Sequence, residues 1–259
     1  MMQYSGTIIE LQKMKSSPKT IYLRGKKSLL ESKKISIVGS RKPTKYARDM
    51  IAKVAQALSA RGACIVSGGA MGIDAIAHKS AGVSSTIAVL PCGLEHKYPS
   101  VNKKLLEEIE INGLLMSQFE PDFKATPWSF VVRNEIVVAL GDVLIVAEAD
   151  EGSGTQRSIE FAKKMGKKIY VLPHRIGDSS ATQRLLAKDE AEAIYDIEAF
   201  ADMFGMVQNS KMEEKDDFLV FCKKNPSYDE AIQKFSSRVF EAELSGEIEV
   251  KNSKIYLTK

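Results

Sequence analysis

Short apolar segments alternate with amphipathic helical patterns from Ile35 to about Gly205. The apolar segments are rich in Val, Ile and Leu and lack the period-two alternation of a half-exposed strand, so both of their faces are expected to be covered. The predicted strands are residues 35–39, 63–67, 86–91, 114–119, 143–149 and 168–172. This alternation predicts an α/β fold with a mostly parallel sheet and helices on both faces.

The first two predicted strands each end in a glycine turn. The first turn reads G-S-R-K-P-T from Gly39, and the second reads S-G-G-A-M-G-I-D from Ser67. A glycine turn between a buried strand and a helix exposes backbone N–H groups, which bind anions such as phosphates. Because neither spacing is the G-x-G-x-x-G of dinucleotide folds, the turns favour phosphate or nucleic acid over NAD. The glycines could instead simply allow a strand and a helix to pack closely.

Right-handed crossovers place the loops that follow parallel strands on one edge of the sheet, where ligands bind in this architecture. Four predicted loops meet there, at residues 39–43, 67–74, 91–99 and 149–155. The last, A-D-E-G-S-G-T, is a third amide-rich turn before a helix predicted over 156–165. The candidate anion-binding residues of the three turns are Gly39, Ser40, Arg41, Lys42, Gly68, Gly69, Ser153, Gly154 and Thr155.

A further candidate segment, F-V-V-R-N-E from Phe130, opens a predicted helix after Pro127-Trp128. Arg133 and Asn134 could donate hydrogen bonds to a phosphate or a base, and Phe130 could stack on a base. The alternative is structural: Phe130 belongs to the core and Arg133 pairs with a nearby carboxylate, Glu135 or Asp150.

The charge distribution supports a polyanionic partner. The net charge is only +4, but residues 1–60 hold 13 Lys and Arg against three acidic residues. Several of these cations surround the first glycine turn, where their field would attract a polyanion.

The chain shows little that predicts catalysis or metal binding. Its three histidines and three cysteines form no nucleophile elbow and no C-x-x-C pair. His78 is interpreted as structural or ligand-adjacent, and Asp74 either caps the same helix or pairs with His78. There is no apolar run of membrane-spanning length and no secretory-type N-terminus, so we expect a soluble cytoplasmic protein with no cofactor, metal or membrane contact.

The pattern predicts two domains joined by a linker. The larger domain covers residues 1–206 and includes a short N-terminal extension, and a polar linker covers 207–216. Residues 217–259 contain helical patterns over 217–224 and 228–240 and a hairpin pattern over 247–257, which suggests a small winged-helix-like domain. Because Asp229, Glu230, Glu241 and Glu243 make its helical region acidic where a DNA-reading helix would be basic, we expect this domain to contact protein and not nucleic acid.

The motifs resemble those of the DNA-processing protein A family, also called DprA or Smf. The resemblance rests on G-S-R-K-P-T, S-G-G-A-M-G-I-D-A-I-A-H, T-I-A-V-L-P-C-G-L-E-H-K-Y-P, R-N-E-I-V-V-A-L and E-G-S-G-T, in this order over residues 20–200. The C-terminal segment F-C-K-K-N-P-S-Y-D-E-A is similar to the small domain of the epsilonproteobacterial members.

The resemblance implies an extended Rossmann-like fold that binds single-stranded DNA, forms a homodimer and loads the RecA recombinase during natural transformation, without enzyme activity. It also implies that Gly39, Ser40 and Arg41 hold a DNA phosphate, in a pocket shared with Arg133, Asn134 and the turn at 153–155. The family usually reads R-N-R where this chain has Arg133-Asn134-Glu135, so Glu135 replaces the last arginine here.

Two other classes of function compete with DNA binding. Lysine-decarboxylase-like phosphoribohydrolases share an S-G-G-x-M-G turn and a later P-G-G-x-G-T-x-x-E loop. Here Asp150-Glu151 replaces the P-G pair and Ser158 replaces the catalytic glutamate, which counts against hydrolysis. Glu160 would face a different side of the helix. A purely structural adaptor would not account for the clustered basic and glycine turns.

Overall fold

The predicted apolar segments form the centre of one sheet in the computed structural model, which describes residues 2–4, 6–206, 217–244 and 246–258. The chain divides into two compact units, Met1–Gln208 and Asn209–Lys259. The linker predicted over 207–216 lies outside the described residues. The strands of the first unit are β1 (Met2–Tyr4), β2 (Ile21–Gly25), β3 (Lys34–Val38), β4 (Cys64–Ser67), β5 (Thr86–Val89), β6 (Leu114–Ser117), β7 (Val143–Val146), β8 (Lys168–Val171) and β9 (Glu192–Ala193).

Among the described residues these nine strands pair in the order β1-β2-β6-β5-β4-β3-β7-β8-β9. All neighbours from β6 to β9 in this order are parallel, whereas β2 pairs antiparallel with β6 and β1 pairs antiparallel with β2. The predicted mostly parallel sheet is therefore confirmed. The chain builds outward from β3 to β6 and then returns to the other side of β3 with β7. The strand order thus reverses between β3 and β7, and a crevice is expected at such a switch point.

Helices cover both faces of the sheet, as the uninterrupted apolar strands require. The helices of the first unit are α1 (Lys45–Ala60), α2 (Ile73–Ala81), α3 (Lys103–Asn112), α4 (Pro127–Leu140), α5 (Gly154–Lys164), α6 (Ser180–Ala187) and α7 (Ile197–Asp202). Buried apolar side chains of α4, α5 and α6 pack on one face. Those of α1, α2, α3 and α7 pack on the other. Both layers leave the carboxyl ends of the parallel strands open.

The short N-terminal extension predicted for the larger domain adds two strands, β1 and β2, to the sheet. β2 pairs with the edge of β6. Lys34, at the start of β3, forms hydrogen bonds and an ion pair with residues that precede it in the chain. Its buried ammonium group donates to the carbonyl groups of Leu30 and Ser32 at 2.6 and 3.0 Å and pairs with Glu10 at 2.8 Å. These contacts fix the segment at the end of the sheet opposite to the crevice.

The second unit contains α8 (Asp217–Cys222), α9 (Tyr228–Phe235), α10 (Ser237–Leu244) and a hairpin of β10 (Ile248–Lys251) and β11 (Lys254–Leu257). Its core includes Phe218, Val239 and Ile255. The single helix predicted over 228–240 is wrong, because Ser236 has φ of +37° and separates α9 from α10. The hairpin is confirmed, with Asn252 and Ser253 both at positive φ as its tight turn requires. Three helices and a hairpin give the winged-helix-like unit that was expected.

None of the helices in the described ranges is long and apolar enough to cross a membrane.

Candidate nucleic-acid interface

The loops after β3 and β7 meet at the switch point and are joined by backbone hydrogen bonds. The amide of Ser40 donates to the carbonyl of Glu148 at 2.9 Å, and the amide of Ala147 donates to the carbonyl of Val38 at 3.0 Å. The buried Glu148 carboxylate also accepts from the amide and the hydroxyl of Thr44, at 3.0 and 2.5 Å. The turn that carries Arg41 is therefore held at both ends.

Thr44 also starts the helix that follows this turn. Its hydroxyl accepts from the amide of Ala47 at 3.2 Å, which is a helix N-cap. Within the turn, the amide of Lys42 donates to the Ser40 hydroxyl at 3.1 Å. These local bonds leave the side chains of Arg41 and Lys42 exposed on an ordered backbone.

The second glycine turn, between β4 and α2, packs directly against the first. The amide of Ile73 donates to the carbonyl of Ser40 at 3.1 Å, and Gly72 has φ of +77°. A Cβ on Gly72 would overlap the Ser40 carbonyl. A glycine is needed here both for the left-handed backbone and for the close approach of the two turns.

Gly68 allows a second close approach, made by the side chain of Arg133. A Cβ on Gly68 would overlap the guanidinium group of Arg133. Arg133 projects from the middle of α4, and not from its first residues as the sequence suggested. Its side chain is buried over the second glycine turn and forms part of the wall of the crevice.

The guanidinium of Arg133 is buried with incomplete partners. Nη1 lies 3.7 Å from the Asp74 carboxylate and 3.4 Å from the Val89 carbonyl, and Nε has no hydrogen-bond partner among the described residues. Burial lowers the pKa of Arg133, but an arginine starts so high that it stays charged at neutral pH. A buried cation with an unused donor has a strong tendency to bind an anion or an acceptor atom.

Asp74 compensates part of this charge. Burial raises the pKa of its carboxyl group, and the nearby Arg133 and the amide of Ala70, which donates at 3.3 Å, oppose that rise. The sequence left open whether Asp74 caps α2 or pairs with His78. In the structure Asp74 pairs with Arg133 and lies in the first turn of α2, whereas His78 binds elsewhere.

The third turn, between β7 and α5, closes the crevice from the other side. The amide of Ser180 donates to the carboxylate of Asp150 at 3.2 Å, and the amide of Gly152 donates to the side chain of Gln156 at 2.7 Å. Ser153 is the N-cap of α5, but its hydroxyl is buried and makes no hydrogen bond to a described residue. The start of an eleven-residue helix and an unused hydroxyl thus face the same space as Arg133.

The three turns and α4 enclose a cavity of about 460 Å³, called the central cavity below. Nine of the predicted residues line it: Gly39, Ser40, Arg41, Gly68, Arg133, Asn134, Ser153, Gly154 and Thr155. Asp74, Asp150 and Ser158 also line it, although none of the three was predicted from the sequence to bind a ligand. The wall therefore presents two guanidinium groups and two carboxylates, together with hydroxyl and amide groups. Such a mixed wall can bind a phosphate and the polar edge of a base.

An aromatic cleft opens beside the central cavity and shares Arg41 and Arg133 with it. Phe130 lies under the Arg41 guanidinium, 5.4 Å from the ring centre, and meets Tyr98 edge to face at 5.6 Å. Tyr98 is 45% exposed. Phe130 is itself partly exposed and not part of the core, and its ring and that of Tyr98 border the cleft.

Two predicted residues lie outside both spaces. Lys42 lies with Arg41 in a neighbouring groove between the first turns of α1 and α2. Gly69 belongs to the second turn but lines none of these spaces. Its carbonyl accepts a hydrogen bond from the side chain of Asn102 at 3.0 Å. Glu135, which replaces the arginine usual in the family, also points away, since its carboxylate accepts from the amide of Lys15 at 3.3 Å.

His78 has a structural environment. It is fully buried, and Nδ1 lies 2.5 Å from the Thr86 hydroxyl, which itself donates to the Ile65 carbonyl at 2.8 Å. The Thr86 oxygen must therefore accept the proton of Nδ1, and the imidazole is neutral. Burial and the charge of Arg133 lower the pKa of His78 to about 3. Within the described residues, no group of three or more metal-ligating side chains comes together.

The described fold and site can be compared with known proteins. The family profile of DNA recombination-mediator protein A matches residues 3–205. The solved structure of DNA processing protein A from Helicobacter pylori, which addresses how that protein binds single-stranded DNA, has a TM-score of 0.76 and 38% identity over 78% of this chain and 94% of that chain. The DNA processing protein A structure from Streptococcus pneumoniae has a TM-score of 0.70 and 31% identity over 76% and 71% of the two chains.

Sequence relatives agree with the structural ones. The DNA processing protein DprA of Bacillus subtilis is 30% identical over 192 residues, which cover 73% of this chain and 65% of the relative. The Smf protein of Synechocystis is 35% identical over 170 residues, 63% of this chain and 43% of the relative. The chain therefore spans less than two thirds of the length of these relatives.

Proposed function

The chain belongs to the DNA recombination-mediator protein A family, and from this premise we propose that it binds single-stranded DNA at the central cavity and passes the strand to a RecA-type recombinase during natural transformation. The observation that carries the proposal is the convergence of three amide-rich turns on the buried Arg133 and the exposed Arg41. Backbone amides, helix starts and guanidinium groups are the donors that bind phosphate.

The preference for single strands rests on the aromatic cleft. The rings of Phe130 and Tyr98 can stack only on bases that are not already stacked in a duplex. The cavity next to them is a crevice at the end of a sheet, lined by turns and by the side of α4, and its lining presents no helix for insertion into a major groove. The similar Helicobacter pylori protein, with its studied single-stranded DNA binding mode, supports the same reading for this chain.

The test compares labelled oligothymidine with a duplex of the same length by fluorescence anisotropy. We expect tighter binding of the single strand and a steep loss of affinity between roughly 50 and 200 mM salt, because counterions are released from each neutralised phosphate. Equal affinity for both forms, or an affinity that salt does not change, would argue against binding through this site.

Homodimer formation and transfer to the recombinase rest on the family relationship. Light scattering after size exclusion tests the first, with twice the chain mass expected. Strand exchange by RecA on DNA coated with single-strand-binding protein tests the second, with stimulation expected when this protein is added. We place the protein in the cytoplasm, since bacterial recombination takes place there.

We propose that the protein acts by binding and not by catalysis. In the phosphoribohydrolase alternative a glutamate would stand at position 158, but the buried Ser158 lines the cavity there. Glu160 lies outside the cavity lining and pairs with Arg157 at 2.9 Å. A hydrolase would release free base from a nucleoside monophosphate. Chromatography of a nucleoside monophosphate incubated with the protein measures this release directly. Release of base at the rate of a catalysed reaction would overturn our proposal.

A further inference from the structure

The groove between α1 and α2 contains a second set of cations beside the central cavity. Its volume is about 440 Å³, and its rim carries Arg41, Lys42, Arg48 and Lys79. Arg48 lies in the first turn of α1, and Lys79 lies near the end of α2. The first three are among the cations that surround the first glycine turn in the sequence, whereas Lys79 is far from them along the chain.

The charge of this groove is not compensated in the described residues. Its lining includes no carboxylate, and none of the four cations forms an ion pair there. Several cations elsewhere on the first unit have partners, as Arg24 has in Glu110 at 2.9 Å and Lys168 in Glu192 at 2.7 Å. Four unpaired cations around one groove create a positive potential that attracts an anionic ligand.

The floor of the groove differs from the aromatic cleft on the other side of Arg41. It consists of Gly72, Ala75 and Ile76, so it offers no ring for a base to stack on. Lys79 stands one helical turn beyond Ala75 and reaches over the same floor. A smooth floor below cationic side chains suits a sugar-phosphate backbone, which is bound through its charge and not through its bases.

Arg41 connects the three spaces. Its side chain lines the central cavity, the aromatic cleft and the groove between α1 and α2. We propose that a DNA strand held at the central cavity continues across Arg41 into this groove, where Lys42, Arg48 and Lys79 bind its phosphates. This inference rests on the proposed function. It adds the path of the strand beyond the central cavity and a set of phosphate contacts that do not depend on the base sequence of the DNA.

The experiment uses strand length to distinguish binding in the groove from binding at the central cavity. Anisotropy is measured with oligothymidines of about 4 and about 16 nucleotides, which bracket common site sizes for single strands. The variant combines Arg48→Gln with Lys79→Gln. A matched control, Lys164→Gln with Lys188→Gln, removes two exposed charges at the ends of α5 and α6 that are distant from the cavity.

We expect the groove variant to bind the longer strand about tenfold more weakly and to bind the shorter strand within about twofold of the wild type. The slope of log affinity against log salt for the longer strand should decrease by about 1.4, which corresponds to two lost phosphate contacts on a single strand. Replacement of Lys79 by arginine, which keeps the charge, should preserve the affinity.

Three outcomes would overturn the inference. The groove variant and the control could weaken binding of the longer strand equally, the groove variant could weaken binding of both strands equally, or Lys79→Arg could bind the longer strand as poorly as the groove variant does. A wild-type protein that binds neither oligonucleotide would instead contradict the proposed function itself. Because both substituted side chains are exposed, unchanged melting temperatures are expected for every variant.

Discussion

Substitution of Arg41 by alanine tests the site at the point where its three spaces meet. The side chain is exposed, has no ion pair among the described residues, and touches the ring of Phe130 at 5.4 Å. An exposed cation–π contact contributes about 0.5 to 1 kcal/mol to stability. In a unit of this size such a loss lowers the melting temperature by only about 1 to 4 °C.

The expected loss of DNA affinity is much larger. A charge-assisted hydrogen bond to phosphate contributes on the order of 1.5 to 3 kcal/mol, so the dissociation constant should rise about 10- to 150-fold. The salt slope should also decrease by about 0.7, the value for one phosphate on a single strand. Both quantities come from anisotropy titrations of labelled oligothymidine at several salt concentrations.

The control for this substitution is Lys164→Ala, which removes an exposed charge at the last residue of α5, about 15 Å from the helix start that lines the cavity. Its affinity should stay near that of the wild type. If Arg41→Ala and Lys164→Ala behave alike, Arg41 contributes only general charge. If Arg41→Ala lowers the melting temperature strongly and binds normally, Arg41 is a structural residue and our interpretation of the site is wrong.

Three further substitutions or deletions test other parts of the structure. Gly68→Ala should displace the guanidinium of Arg133 and weaken DNA binding about tenfold or more. The same substitution should have little effect in an Arg133→Ala background, since both changes remove the same contact. Additive effects in a double-mutant cycle would contradict this. His78 should make folding sensitive to acid, because its pKa is about 3 in the folded protein and about 6.5 in the unfolded chain. The free energy of unfolding should therefore be highest above pH 6.5 and fall as the pH is lowered, by roughly 2 kcal/mol at pH 5. Denaturant titrations should show that His78→Gln lacks this part of the pH dependence. Deletion of residues 207–259 should leave a folded unit that binds DNA, because the removed segment is slightly acidic; loss of DNA binding with an unchanged oligomer mass would show that the small unit belongs to the DNA site.

The sequence was sufficient to predict the centre of the sheet and the edge that carries the site. Continuous runs such as Ile35–Val38 can be covered only on both faces, and right-handed crossovers then place the following loops together. The first argument uses only the residues of one segment at a time, and the second uses only the right-handed chirality of the crossovers. For the same reason the three turns around the central cavity could be named before their contacts were known.

Features that depend on exact rotation or spacing could not be predicted in this way. The pairing of Arg133 with Asp74 depends on how α4 is rotated about its axis, and α4 is apolar on most of its surface. The break at Ser236 occurs in a segment without glycine or proline, so no local signal marks it. Lys79 joins Arg48 only because α1 and α2 pack side by side.

A growing chain on the ribosome that ends before β7 lacks one wall of the central cavity. The turn with Arg41 is held by hydrogen bonds from Thr44 to Glu148, which are 104 residues apart. Contacts between such distant residues form late, because closing a long loop costs entropy before the contact can stabilise it. A partly synthesised chain with β3 to β6 could pair its strands, but its anion-binding turns would not yet be fixed. We therefore expect the proposed phosphate-binding site to form only after β7 has docked beside β3, so that an incomplete chain lacks it.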